Sequence, residues 1–335
     1  MHDVPLGSTG VRVSQLCAGT MAYGGQADDA ESAAMYRRCR DAGINFFDCA
    51  DVYADGRSEE ILGHLMAAER DEIVLATKAY FPTNKDDVNA RGASRRHLVS
   101  AVEASLRRLA TDRIDLYYIH RFDDDTDLTE TLRCLDDLVR QGKILYTGAS
   151  NFAAWQVAKA LGLSTQSAWA SFCCIQPMYN LLKRQAEVEL LPMAVSEGLA
   201  VFPYSPLAGG LLTGKYRGDK TPADARLLAN DMYKRRYADP TLHEAATRFA
   251  ALAQELGSTP ASLAVAWVAA HPAVTAPIIG GRTADQLDDS LRSVEIDLTP
   301  DLRDRLATLV PEPPPATDRS DERTAGDPGS VVISR

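Results

Sequence analysis

"SRRHLVSAVEASLRRLATDRIDLYYIH", Ser94 to His120, is one helix-then-strand unit, and its reading sets the fold. Leu98, Val102, Leu106 and Leu109 recur at helical spacing with Ser105 on the same stripe, and Ser94 stands where an N-cap is needed. The run Ile114 to His120 is short and almost wholly apolar, which reads as a strand.

The same theme repeats outward in both directions. Strand-like runs occur at Ser14–Gly19, Ile44–Ala50, Glu72–Lys78 and Ile114–His120, and again at Lys143–Ser150, Ser171–Gln176, Leu199–Pro206 and Val274–Gly281. Gly43, Gly142 and Gly198 each close a helical stretch just before a strand, as αβ loops require. Eight β/α units predict an α/β fold of the (β/α)8 TIM barrel type, with long loops at its C-terminal face. The turn "GSTG", Gly7 to Gly10, predicts an N-terminal β-hairpin ahead of the barrel. A doubly wound dinucleotide fold would carry G-x-G-x-x-G after its first strand, and "GTMAYGGQ" (Gly19–Gln26) lacks that spacing.

One domain over residues 1–310 is expected, with 311–335 as a Pro-rich, polar and mobile tail. A long connection from Leu207 to Pro240 breaks the rhythm, and loops of that length are lids or disordered segments. The 335 residues are 45% hydrophobic and 24% charged, an ordinary globular balance. A net charge of -10 argues against a nucleic-acid surface. With no apolar run of about 18 residues and no leader pattern, the expectation is a cytoplasmic protein with no membrane partner. The six cysteines form no C-x-x-C pair, no metal site is read, and Cys173-Cys174 falls inside a strand.

"PLAGGLLTGKY", Pro206 to Tyr216, has Gly209 and Gly214-Lys215 at P-loop spacing, yet Tyr216 occupies the place of the Mg²⁺-holding Ser or Thr. An NTPase is therefore set aside.

In such a barrel the chemistry lies at the carboxyl ends of the strands. Asp48, Lys78 and His120 end the second, third and fourth strands, and Tyr53 comes in the loop after the second. Together they read as a proton donor: Lys78 lowers the pKa of the Tyr53 phenol, Asp48 holds Lys78 charged, and a neutral His120 directs a carbonyl oxygen through a ring N–H. None of the four is a hydride source, so a cofactor must supply it.

"FFDCADVYADGRSEEILG", "LATK", "DLYYIHRFD", "GASNF", "IQPMYNLLKRQAEVELLP", "YSPLAGGLLTGKY" and "IIGGRTADQL", in that order, resemble the aldo-keto reductase superfamily from Val4 to Leu309. The wording is closest to its bacterial branch acting on sugars, polyols and small aldehydes. The resemblance implies NADPH/NADP+ bound without a Rossmann fold, with Asp48, Tyr53, Lys78 and His120 reducing a small-molecule aldehyde or ketone. It places Ser150, Asn151 and Gln176 on the nicotinamide carboxamide and Tyr204 against the nicotinamide ring. Ser205, Pro206, Leu207, Gly209 and Lys215 then run along the pyrophosphate. Arg282, Thr283 and Gln286 hold the 2'-phosphate, Asp289 takes the adenine contact where many relatives have Asn at the position of Ser290, and Gly19, Thr20, Met21, Asp48 and Gly280 complete the site. For the substrate pocket it implies Tyr23, Tyr80, Phe81, Arg121 and Phe122, with Met21 and the stretch 233–237 at the rim. The superfamily also holds potassium-channel beta subunits, so a nicotinamide-binding regulatory subunit is the alternative. Oligomeric state, monomer or homo-oligomer, is open.

Overall fold

A computed structural model of the chain describes residues 1–216, 227 and 230–317. Residues 217–226, 228 and 229 of the long connection and most of the expected tail lie outside these residues; the described part of the connection holds the turn Ala208–Thr213 and the helix Asp231–Arg236. Residues 311–317 carry neither helix nor strand.

Strands β1 (Asp3–Pro5) and β2 (Arg12–Ser14) form the antiparallel hairpin. Eight parallel strands come next: β3 (Cys17–Gly19), β4 (Phe46–Asp48), β5 (Val74–Ala79), β6 (Ile114–Ile119), β7 (Ile144–Ser150), β8 (Phe172–Gln176), β9 (Ala200–Val201) and β10 (Ile278–Ile279). Their order is β10-β3-β4-β5-β6-β7-β8-β9. The amides of Thr275 and Ala276 donate to Val201 O at 2.9 and 3.3 Å, and Ile278 N donates to Pro203 O at 2.9 Å. These bonds join the last strand pair and close the barrel.

Between the strands run helices whose caps are set by sequence. Ser94 accepts from His97 N at the start of helix Arg95–Arg108, and Leu98, Val102, Ser105 and Leu106 turn inward as the spacing predicted. Gly43, Gly142 and Gly198 have φ of 84°, 71° and 66°, left-handed values that suit glycine at a helix stop.

Strand alternation sorts the core into two layers. Phe46, Ala76, Leu116, Tyr118, Cys174, Ala200 and Phe202 fill the barrel interior, whereas Phe47, Leu75, Tyr117 and Ile119 pack outward beneath the helices. Leu6 and Val13 of the hairpin join the interior cluster and plug its amino-terminal end. Two predicted strands prove much shorter, because Pro203 and Pro277 have no N–H to give the ladder. The chain keeps its direction past β9 all the same, with Phe202 N donating to Ile175 O and Tyr204 N to Pro177 O, both at 3.0 Å.

Candidate active site

Asp48 comes two residues after Phe46, Lys78 two after Ala76, His120 two after Tyr118, Gln176 two after Cys174 and Tyr204 two after Phe202. Every one of those predecessors lies in the barrel interior. Period-two alternation therefore turns the polar residues inward as well, one layer beyond the last apolar side chains, at the carboxyl end. Tyr53 arrives differently, in a single tight turn, Tyr53–Gly56, where Ala54, Asp55 and Gly56 have φ of 48°, 53° and 92°. Of the seven described non-glycine residues with positive φ, five (Ala54, Asp55, Asn151, Ser205 and Ala208) fall in loops that leave this face of the barrel. Strain of that kind concentrates where geometry is being dictated.

Lys78 is fully buried and Asp48 nearly so. The Lys78 ammonium donates to Asp48 Oδ2 at 2.6 Å and to Cys49 O at 2.6 Å, and reaches the Tyr53 hydroxyl at 3.4 Å. The other carboxylate oxygen, Oδ1, accepts from Gln176 Nε2 at 2.9 Å. Asp48 is thus held at both oxygens, and it fixes the ammonium beneath the phenol. A second chain of bonds runs around the mouth: Ser150 Oγ donates to Gln176 O, Asn151 Nδ2 donates to His120 O and to Ser150 Oγ, and Tyr204 Oη donates to Asn151 Oδ1 at 2.7 Å.

Burial alone would depress the pKa of Lys78, but Asp48 and the Tyr53 phenol reverse the sign, and it lies well above the usual lysine value. The ammonium stays charged. For Tyr53 the sequence reading expected a lowered pKa, and the structure reverses it. Burial pushes the phenol up to about 12; Lys78 pulls downward, but Asp48 sits on that same ammonium and offsets much of the pull. Tyr53 is therefore a phenol with a proton to give. Burial, and then the charge of Lys78, hold His120 well below the ordinary histidine range, and its Nδ1 has no hydrogen-bond partner. It is a neutral imidazole, whose ring stands edge-on to Tyr53 at 6.1 Å between centroids.

Asp48, Tyr53 and His120 border a cavity of about 840 Å³, with Lys78 behind its wall. Sixteen of the eighteen residues expected to hold a dinucleotide line it: Gly19, Met21, Asp48, Ser150, Asn151 and Gln176; Tyr204, Ser205, Pro206, Leu207, Gly209 and Lys215; Gly280, Arg282, Gln286 and Asp289. Along one wall, Ala208, Gly209 and Gly210 have φ of 51°, 67° and 95°, a run of left-handed backbone of the sort that curls amides toward an anion. At Gly209 a Cβ would come within 2.6 Å of the Tyr233 ring, so only glycine fits that turn. Donor set, shape and glycine turn fit a dinucleotide.

Thr20 and Thr283 do not line the cavity. Thr20 is buried, its hydroxyl donating to Asp48 O at 3.2 Å and accepting from Ser58. Ser290 is buried too, so Asp289 is the residue of that pair that faces the cavity. Among the expected substrate residues, Phe81 and Arg121 line the cavity. Tyr23 is in the hydrophobic core, Tyr80 stacks edge-on with Phe81, and Phe122 packs against Phe152 and Trp155. The sequence reading missed Val52 and Gly210, and gave the stretch 233–237 only as a rim. Met232, Tyr233 and Arg236 line the cavity from helix Asp231–Arg236, and Tyr237 is buried instead. Asn230, whose side chain caps that helix, was the available signal.

A profile of the aldo/keto reductase family matches residues 15–310. The chain is 39% identical to the "Uncharacterized oxidoreductase YrpG" of Bacillus subtilis, over 93% of this chain and 97% of that one. It is 37% identical to a "Probable voltage-gated potassium channel subunit beta" of rice, over 93% and 98%. It is 32% identical to the versiconal hemiacetal acetate reductase of Aspergillus parasiticus, over 90% and 94%. With its barrel and the residues at the barrel mouth, the chain belongs to the aldo/keto reductase family.

Proposed function

We propose that this chain is an NADPH-dependent reductase of aldehydes or ketones, sugars and small aldehydes among them, with Tyr53 as proton donor and Asp48, Lys78 and His120 as its supports. The observation that carries the reading is the Lys78 ammonium, 2.6 Å from Asp48 and 3.4 Å from the Tyr53 hydroxyl, at the mouth of a cavity that fits a dinucleotide. A bound reduced nicotinamide supplies the hydride. Asn151, Ser150 and Gln176 orient its carboxamide, and Tyr204 covers one ring face. The glycine turn at Gly209 and Lys215 take the pyrophosphate, and Arg282 favours a 2'-phosphate because a fork of donors suits a dianion.

A carbonyl oxygen lying between Tyr53 and His120 receives a hydrogen bond from each. As negative charge grows on that oxygen, the Tyr53 hydroxyl gives up its proton and the carbonyl becomes an alcohol. Lys78 stabilises the phenolate left behind. The Tyr53 phenol at about 12, a value that already includes the pull of Lys78, is a weak acid, yet the developing alkoxide oxygen is a much stronger base than the phenolate, so the proton transfer runs downhill as hydride arrives. Tyr53→Phe removes the proton and leaves the cofactor walls untouched. Carbonyl-dependent NADPH oxidation should fall by about 10²-fold or more, the usual range for a general acid, with NADPH binding by fluorescence unchanged. Retained turnover would overturn the assignment.

A second reading is a nicotinamide-binding regulatory subunit, favoured by the relatives named as potassium-channel beta subunits. It requires tight cofactor retention, very slow turnover and a stable membrane-protein partner. The proton-donor arrangement does not decide between the two, because a regulatory subunit can keep it; a turnover assay run beside a pull-down with membrane proteins separates them.

A further inference from the structure

The cationic side chains of the cavity fall into two pairs, a division that rests on the dinucleotide reading above. Lys215 lies beside the glycine turn and Arg282 just ahead of helix Ala284–Leu291, the two places that reading gives to phosphates. Two further guanidinium groups line the same cavity: Arg121 beside His120, and Arg236 over the Tyr233 ring, between Tyr204 and the Gly209 turn.

Arg121 directly follows His120 and forms no hydrogen bond or ion pair among the described residues. Arg236 comes from the opposite side, out of helix Asp231–Arg236. Its guanidinium lies over the Tyr233 ring at 5.1 Å and donates to Met232 Sδ at 3.6 Å, and it has no carboxylate partner among the described residues. It is also close to Tyr204: burial raises the pKa of that phenol, and the charge of Arg236 offsets part of the rise. Among the described residues two carboxylates border the cavity, and both have a cation beside them. Asp48 holds Lys78 and Gln176, and Asp289 lies 4.0 Å from Arg292.

Arginines left without counter-ions in a concave site, within a chain of net charge -10, answer to an anion from outside. Beside them stand the apolar Met21, Ala22, Val52, Phe81 and Met232, which leave an anionic group no competing donor on that side of the cavity. We propose that the site takes carbonyl compounds bearing an anionic group, carboxylate or phosphate, held by Arg121 and Arg236 while the carbonyl lies against Tyr53 and His120.

The test compares matched substrates: 4-carboxybenzaldehyde with the near-isosteric neutral 4-carbamoylbenzaldehyde, and glyceraldehyde 3-phosphate with glyceraldehyde. In at least one pair the anion should be preferred by about tenfold or more in kcat/KM, the worth of one charge-assisted contact, with the difference carried by KM. Which pair responds tells carboxylate from phosphate. The preference should shrink in about 0.5 M KCl and collapse toward parity in Arg121→Gln and Arg236→Gln, with the lysine variants intermediate. Calorimetry provides a readout without turnover: 4-carboxybenzyl alcohol should bind the NADP+-saturated protein, and more weakly in Arg236→Gln. Parity in both native pairs, or a preference that survives both glutamine variants, overturns the proposal. If neither pair is reduced at all, it is the reductase reading that fails, and calorimetry alone then decides the anion site.

Discussion

Asp51 stands three residues beyond Asp48, and the two carboxyls meet opposite fates. Asp48 is paired at both oxygens; Asp51 is only 2% exposed and neither of its oxygens has a hydrogen-bond partner of good geometry among the described residues, although the Val52 amide is near enough to favour the carboxylate. It borders a second cavity, of about 520 Å³, together with His97, whose Nε2 is likewise partnerless. Burial first, then the neighbouring Glu59, push Asp51 up to about 8, against a partial pull from Arg108. A carboxyl that holds its proton more tightly folded than unfolded makes stability fall as pH rises from the ordinary aspartate range, about 4, toward 8. Asp51→Asn keeps the shape and removes that loss. It should leave urea stability nearly unchanged at pH 4 and raise it by on the order of 2 kcal/mol at pH 8, the scale of an unsatisfied buried group. An equal effect at both pH values would dismiss the charge as the cause. Reading residues from sequence brought Asp48, Lys78 and His120 to one mouth of the barrel, where the structure also has them, since strand-end position is itself a sequence property. It missed the direction of the Tyr53 shift, because desolvation and the competing Asp48–Lys78 pair exist only once the chain is folded. Tyr23 and Phe122 were read into the substrate pocket for a similar reason: an aromatic after a strand can turn either way, and only the fold shows both packed into apolar surroundings.

Among elements, the helices were the most legible, and Ser94 caps the one the spacing predicted. The strands at β9 and β10 were over-read because apolar content continues across Pro203 and Pro277 while the ladder does not. Two glycines test what an element tolerates. Gly148 lies in β7, where an added Cβ would come within 2.6 Å of Tyr118 Cε1 and 2.7 Å of Cys174 Sγ inside the barrel. Gly162 lies in helix Ala154–Ser167 with nothing within 4 Å of the same added atom. Gly148→Ala should cost about 1–3 kcal/mol by overpacking. Gly162→Ala should stabilise by roughly 0.5–1 kcal/mol, through helix propensity and a less flexible unfolded chain. Chemical denaturation of the two variants side by side gives the contrast, and a loss at Gly162 would contradict it.

For the whole molecule, the eightfold repeat made the barrel legible, and alternation then decided which polar residues share its mouth. What repetition could not convey was how the barrel is sealed: the closing bonds to Val201 and Pro203, and the hairpin seated under the opposite end. That hairpin is tightly fitted. Leu6 and Val13 are fully buried in the interior cluster, and Gly7, at φ 54°, lies so near β8 that a Cβ would come within 2.7 Å of Cys173 O. Stability and chemistry thereby occupy opposite ends of one core, separated by the layer of Phe46, Leu116, Tyr118 and Phe202. Leu6→Ala removes apolar bulk from the sealed end and should cost about 2–5 kcal/mol in unfolding free energy, the range for a fully buried leucine. Well below its lowered melting temperature, its kcat/KM for carbonyl reduction should stay within about twofold of the native protein, since no active-site group touches the hairpin. Thermal unfolding, then rate measurements at about 20 °C, would check both halves. A parallel fall in kcat/KM would mean that the interior layer transmits the cavity to the mouth, and that the two ends of the barrel act as one unit.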